Sequence, residues 1–432
     1  MIRGCDTITR TPVHRDPKSV IKEIVASGCQ EDPFYVVDLG EVVRRWQKWN
    51  LLMPRIKPYY AVKCNNDMML LKTLAALGAG FDCASQQEIK MVRSLGVSSD
   101  RIIFAQPVKM VSHISYASAV NVERMTFDSE MELKKIKQHM PHAKLVIRIR
   151  SDALKADHPL GIKFGCDPIT EAPKLLEIAA QMDLQVIGVS FHVGSGVQEF
   201  ESYGRAMRRA AEVFHKADSL GHCCTLLDIG GGFPGTRDNS IEKIAYVVNK
   251  ELEMSFPDDV EVISEPGQYF AAAPFTLAVM VYSIKQVSCE YEHEDAKTST
   301  MYFINDGVYG SFGDRIYDSK QYFPELLQPR PSTPEPCSIW GPTADALDLV
   351  VPAADLPRLR VGDWLLFRDM GAYSMVLART FNGCPVPAVK MYYVEEELWC
   401  SDRNLMMMNS SAAAPILLEP NDKLMLIEGV NE

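Results

Sequence analysis

The chain of 432 residues has no Cys-x-x-Cys pair, no basic run longer than two or three residues, no internal repeat and no low-complexity tail. No uninterrupted apolar stretch approaches the roughly 18 residues that a membrane span needs. The opening MIRGCDTITR lacks the apolar core of a secretory leader. No zinc knuckle, secretory leader or membrane-spanning helix is therefore expected. With 45 Lys and Arg against 56 Asp and Glu, the net charge of −11 disfavours nucleic acid as a partner. The nine histidines are scattered rather than paired at i, i+4, so no metal site is expected. The eleven cysteines, at 5, 29, 64, 83, 166, 223, 224, 289, 337, 384 and 400, are odd in number and follow no disulfide framework. They imply reduced thiols and a cytoplasmic protein.

Hydrophobic residues make up 47% of the chain and charged residues 23%, ample for a sizeable core. The length suggests two or three domains. From about residue 56 to 265, short apolar runs alternate with amphipathic stretches. The candidate strands are 57–62, 80–84, 101–105, 123–128, 144–150, 184–193, 225–230 and 260–266, each the kind of run a buried parallel strand shows. Helical patterns fill 67–77, 85–94, 129–139, 170–181, 201–219 and 241–253. Ser85 with Glu88 has capping-box spacing, and Asp128-Ser129 precedes EMELKKIKQ in the same manner. Eight strands each followed by a helix or loop predict an α/β protein built on a (β/α)8 barrel. Beyond Glu265, FTLAVMVYSI, TMYFIND, CSIWG, DWLLFRD, AYSMVLA and AVKMYYV predict an all-β sandwich or barrel-like domain. The early FYVVDL (34–39) is expected to join it. The expected division is an N-terminal segment 1–40, a barrel 41–268 and a β domain 269–432. Segments 289–300 and 326–337, acidic and Pro-rich, read as surface loops.

Catalytic groups of such barrels gather at the C-terminal ends of the strands. Here the first strand ends in Lys63, the second in Asp82, the sixth in His192, the seventh in Gly230-Gly231-Gly232 and the eighth in Glu265. One such residue has a bland explanation; together they fit one chemical demand. A lysine at the mouth of an apolar pocket forms a Schiff base with an aldehyde, with partial burial expected to lower its pKa. Glycine turns let backbone N–H groups approach a phosphate. A buried carboxylate keeps a pyridine nitrogen protonated, and a flat imidazole stacks on the ring. The set describes a pyridoxal 5′-phosphate site.

PYYAVKCN, GFDCAS, KFG, SFHVGSG, LDIGGGFPG, EPG, NDGVYGSF, IWGPT, GDWLLF and MGAY occur in this order and resemble the eukaryotic ornithine decarboxylases, from about residue 10 to 395. The resemblance implies a cytoplasmic homodimer whose shared active sites decarboxylate a basic amino acid with pyridoxal 5′-phosphate. The reaction expected is L-ornithine to putrescine, in polyamine biosynthesis. By this resemblance Lys63 carries the cofactor, Glu265 pairs with its ring nitrogen and His192 stacks on it. Ser195, Gly231, Gly232, Gln268 and Tyr373 lie at the phosphate, and Asp82 and Glu88 near the lysine. Asp318 and Asp345 grip the distal amine, the second from the partner subunit.

The chain departs from that pattern at several points. Ala344 stands where the family has the cysteine that returns a proton to the α-carbon, and Ala346 replaces a glycine. Gln268 replaces an arginine after EPG, His158 an arginine before KFG, and Cys384 a phenylalanine after TFNG. Cys384, near the site by resemblance, is a candidate substitute donor; water and Lys63 are others. The alternatives are a decarboxylase of lysine or of a neutral aliphatic amino acid such as leucine, and a non-catalytic regulator resembling antizyme inhibitor. The retained Lys63 and glycine turns favour the enzyme. In the segment matching the antizyme-binding region (108–136), Ser115 replaces the usual lysine, which argues against antizyme as a partner.

Overall fold

A computed structural model describes residues 7–151, 161–196, 199–287, 300–318 and 320–408, with backbone only for 317, 318 and 407. His158 and the acidic run 289–299 lie outside the described residues. Eight parallel strands close into a barrel: Ile56–Ala61, Gly80–Cys83, Ile102–Phe104, Arg124–Phe127, Lys144–Arg148, Gln185–Ser190, Leu226–Asp228 and Glu261–Ser264, the last pairing with the first. Every expected strand is present: the first is shifted by one residue, and the other seven are one to four residues shorter than expected. Tyr59, Ile103, Ala105, Val146, Ile187, Leu226 and Ile263 fill the interior, so the barrel is a packed core rather than a pore. Gly188 is required on the sixth strand: a Cβ there would lie 2.1 Å from the Leu226 carbonyl oxygen on the seventh.

The helices follow the apolar periodicity, including Glu201–Ser219 over its whole predicted length. The two predicted capping boxes form differently. Ser85 Oγ accepts from Glu88 N at 3.2 Å, but Glu88 returns its carboxylate to Ala84 N, one residue early. Ser129 caps its helix position without a side-chain hydrogen bond. Helices Pro17–Ala26, Leu39–Leu52 and Val111–Ala119 went unpredicted.

The second sheet has nine strands and is mixed. Phe34–Asp38 pairs antiparallel with the long strand Phe275–Gln286 and parallel with Ala388–Glu395, so the N-terminal strand does join the β domain. Two expectations are corrected, and one strand is added. AYSMVLA forms no strand: Tyr373 adopts φ +50°, outside any sheet conformation, and only a 3-10 turn Met375–Leu377 follows. The Pro-rich run is not all loop, because Glu335–Trp340 is a strand whose proline stands near its start. Leu349–Leu356 is a strand despite Pro352.

One apolar core extends through barrel and sheet. At their junction Tyr373 N donates to Cys64 O at 3.0 Å, Asn65 Nδ2 to Gly371 O at 2.8 Å and Tyr392 Oη to Asp67 Oδ2 at 2.6 Å. The turn after the first barrel strand is therefore fastened from outside the barrel. Among the described residues no helix is long and apolar enough to cross a membrane, and all nine described cysteines are free.

Candidate active site

The first barrel strand runs out into the 3-10 turn Val62–Cys64, whose outer residues are buried while Lys63 faces the mouth with its side chain 40% accessible. Asp82 sits opposite Ala61 on the next strand, which puts its carboxylate beside Lys63 Nζ, and the two form an ion pair. Burial alone lowers the lysine's pKa, but the Asp82 and Glu265 carboxylates outweigh it and hold the ammonium above the usual lysine range. The expectation of a lowered lysine pKa is corrected on that ground. Glu88 lies beyond Asp82 and is held at Ala84 N. Burial and Asp82 raise its pKa, against that backbone bond.

The sixth strand delivers His192, whose Nδ1 accepts from Gly194 N at 3.0 Å; the ring proton is then on Nε2. Burial first, then Arg148 and Lys63, keep the imidazole neutral. Gly231 and Gly232 leave the seventh strand against this ring. A Cβ on Gly231 would meet His192 Nε2 at 2.8 Å, and one on Gly232, at φ +99°, the Gly194 carbonyl oxygen at 2.5 Å. Only glycine fits at either position. Ser195 lies between two glycines of positive φ, Gly194 and Gly196, on the facing loop. Glu265 ends the eighth strand, buried, its N–H donating to Gly230 O at 2.7 Å. Burial, Asp228 and Asp82 raise its pKa. Gln268 opens the helix Gly267–Ala271 beneath the glycine turn, its carbonyl packed on Gly235. Tyr373 closes the ring of residues through its bond to Cys64.

The remaining predicted residues form a second group, in the β domain. Tyr309 Oη donates to Asp345 Oδ2, Leu347 N to Asp345 Oδ1 at 3.0 Å, and Ala344 N to Asn382 Oδ1 at 2.8 Å. Phe381 stacks on Tyr309 with ring centroids 4.5 Å apart, and Cys384 caps the turn that carries Phe381 and Asn382. Buried Asp348 shapes the loop, accepting from Val308 N, Thr343 N and Thr343 Oγ1 at 2.7–2.9 Å. Asp318 ends the short helix Asp314–Asp318, and its side chain lies outside the described residues. That helix begins near the lysine: Asp314 acts electrostatically on both Cys64 and Tyr373. Among the described residues, no hydrogen bond or ion pair joins Ala344, Asp345 or Cys384 to the lysine group.

Sequence reasoning missed Asp228, Arg148, Tyr309 and Asn382. Asp228 and Arg148 carry a readable signal, a charged residue at the end of a barrel strand. The pairing of Tyr309 with Asp345 and of Asn382 with Ala344 has none, because it depends on distant loops meeting.

The rim can hold pyridoxal phosphate. Lysine, neutral imidazole and buried carboxylate converge there, and the glycine turns leave backbone where any Cβ would collide. Asp82 Oδ1 and Asp228 Oδ2 are buried with no hydrogen-bond donor among the described residues. A family model described as the pyridoxal binding domain of pyridoxal-dependent decarboxylases matches residues 39–272. The chain belongs to this family. The pyridoxal-dependent decarboxylase is 46% identical over 387 residues to the ornithine decarboxylase of Mus musculus, covering 87% of this chain and 83% of that protein. It is equally 46% identical over 380 residues to antizyme inhibitor 2 of Xenopus laevis, covering 85% and 83%. Among solved structures it matches the arginine decarboxylase of Paramecium bursaria Chlorella virus bound to agmatine, with a TM-score of 0.82 and 38% identity, covering 87% of this chain and 100% of that one. Its cofactor is pyridoxal 5′-phosphate.

Proposed function

We propose that this decarboxylase acts on L-ornithine, releasing CO2 and putrescine, as a cytoplasmic homodimer. The observation that carries the reading is the convergence of Lys63, Asp82, His192 and Glu265 from four barrel strands on one rim. Bound pyridoxal phosphate supplies an electron-withdrawing ring that takes up the electron pair left when the carboxylate departs. Lys63 is the residue that holds the cofactor aldehyde, and Asp82 Oδ2, paired with its Nζ, is set to take the proton that Nζ must lose first. Glu265 meets the ring nitrogen. His192, neutral with its proton on Nε2, would stack on the ring without adding a charge. Ser195, Gly231, Gly232, Gln268 and Tyr373 bind the phosphate, mainly through backbone N–H groups, since Gln268 brings no charge.

Asp318 and Asp345 select a substrate with a distal ammonium. That no hydrogen bond or ion pair among the described residues joins Asp345 to the lysine group supports a site completed by a second copy. Ala344 offers no acidic proton to the α-carbon. Lys63 Nζ or water delivers it, and turnover is correspondingly slow. Assaying CO2 and amine release over a panel of amino acids tests this: ornithine should win, and a wide margin for lysine or leucine would overturn it. The kinship with antizyme inhibitor 2 favours a second reading, a cofactor-free regulator. It requires that the purified protein lack a cofactor absorbance abolished by Lys63→Ala.

A further inference from the structure

The seventh barrel strand ends in a carboxylate without an obvious task. Asp228 is fully buried. Its Oδ1 accepts from Gly230 N at 2.9 Å, and its Oδ2 has no hydrogen-bond donor among the described residues. Across the same glycine, Gly230 O accepts from Glu265 N at 2.7 Å and from Ser264 Oγ at 2.7 Å. The two acidic residues thus flank one glycine, on adjacent strands where Asp228 pairs with Ile263 in the ladder. Across that glycine the Asp228 and Glu265 carboxyls act on each other electrostatically. Two buried carboxylates cannot meet in this way while both are ionised; a proton between them turns an uncompensated acceptor into a hydrogen bond.

We propose that Asp228 and Glu265 share a single proton, and that Asp228 is the positioning residue that keeps this proton where Glu265 meets the cofactor's ring nitrogen. The second half rests on the reading of Glu265 given above. The charged groups around the pair leave room for such a proton. Asp82 at the end of the second strand adds a third carboxylate, against Lys63 from the first strand and Arg148 from the fifth, while His192 from the sixth is neutral. Counting Asp82, Asp228 and Glu265 against those two cations leaves one negative charge in excess, and one retained proton cancels it. Burial raises both acids in the same direction, with Asp82 adding to the rise. Asp228 is not a catalytic residue in this scheme. It acts through Glu265, by removing the option of two bare carboxylates.

Infrared difference spectroscopy on the full-length apoprotein at neutral pH tests the pair directly. A protonated carboxylic acid has a carbonyl stretch that shifts in D2O and stands apart from the carboxylate bands. The wild-type protein should show it, and both Asp228→Asn and Glu265→Gln should lose it. Its absence from the wild type, or its persistence in Asp228→Asn, overturns the shared proton, and an absent wild-type band does so even if a variant fails to fold. Titration with pyridoxal 5′-phosphate, followed by tryptophan quenching, gives the second readout. Asp228→Asn should move the pH dependence of the dissociation constant downward by about one unit, because the neighbour that discouraged ionisation of Glu265 is gone. A purely structural role for Asp228 would weaken binding evenly at every pH. A carboxylic-acid band untouched by saturating pyridoxal phosphate leaves the shared proton standing and overturns Glu265 as the partner of the ring nitrogen.

Discussion

The barrel rim and the β-domain loops are built to different standards. Around Lys63 nearly every group is buried and fixed by its strand register, so Asp82 follows from Ala61 and Glu265 from Gly230. Around Asp345 the side chains are more open, and the arrangement depends on contacts between separate loops: Tyr309 to Asp345, Asn382 to Ala344, Phe381 on Tyr309. The departures from the ornithine decarboxylase pattern are distributed accordingly. The rim keeps its lysine, histidine, glycines and glutamate, and Gln268 is its one change among the described residues. The loops lose the expected cysteine at Ala344, the glycine at Ala346 and the phenylalanine at Cys384. A site constrained by backbone geometry tolerates little. A site assembled from loops can change its chemistry while the cofactor platform stays as it was.

Breaking the rim should have the largest effect. Lys63→Ala removes the lysine placed at the rim to bond the aldehyde, and activity should fall by about 10⁴-fold or more. Covalent cofactor attachment, trapped by borohydride reduction and read by mass spectrometry, should vanish. Retained labelling at another lysine would break the assignment of Lys63.

Restoring the loop should move activity the other way. Ala344→Cys places an acidic proton where the methyl now stands, and turnover with ornithine should rise by about 10²-fold, the scale of one positioned acid. No gain would mean that the loop never approaches the α-carbon. Asp345→Asn is the milder change. A hydrogen bond to a charged group is worth about 1.5–3 kcal/mol, so kcat/KM for ornithine should drop by about 10–100-fold, while any slow turnover of a neutral amino acid should hardly change. An equal loss for both substrates would show that Asp345 only braces the loop through Tyr309.

The same contrast explains what could be read from the sequence. Strand order, barrel closure and the rim residues were legible because a buried parallel strand has a short apolar signature and its last residue must face the mouth. Lys63, Asp82, His192 and Glu265 were found by that rule, and Asp228 and Arg148 obey it too. The lysine's electrostatics were not legible: burial and carboxylate attraction oppose each other, and only the closeness of Asp82 Oδ2 decides the sign. Nor was Tyr373, which looked like strand and is instead held at φ +50° by its bond to Cys64. Long-range contacts choose that conformation over local propensity.

The smallest effect separates the two regions by pH. His192 is neutral in the folded protein because burial, Arg148 and Lys63 lower its pKa well below 6.5. In the unfolded chain it takes up a proton as the pH falls through 6.5. Below that pH the unfolded state therefore binds more protons than the folded one, and stability falls as the solution is acidified. His192→Asn keeps an acceptor for Gly194 N–H but cannot titrate. Its stability profile between pH 5 and 6.5 should be flatter by up to one proton, about 1.4 kcal/mol per pH unit. Asp306, which burial pushes up to about 6, titrates in the same window but with the opposite sign, since there the folded state holds the extra proton. It is common to both proteins and cancels in their difference. Asp345 does not intrude, because its backbone and Tyr309 hydrogen bonds lower its pKa further below this window. Denaturant midpoints at pH 5.0, 6.0 and 7.5 suffice to test the slope. Parallel profiles for the two proteins would mean that His192 titrates in the fold as it does in the unfolded chain, and below pH 6.5 the rim would then carry one positive charge more than its carboxylates are arranged to meet.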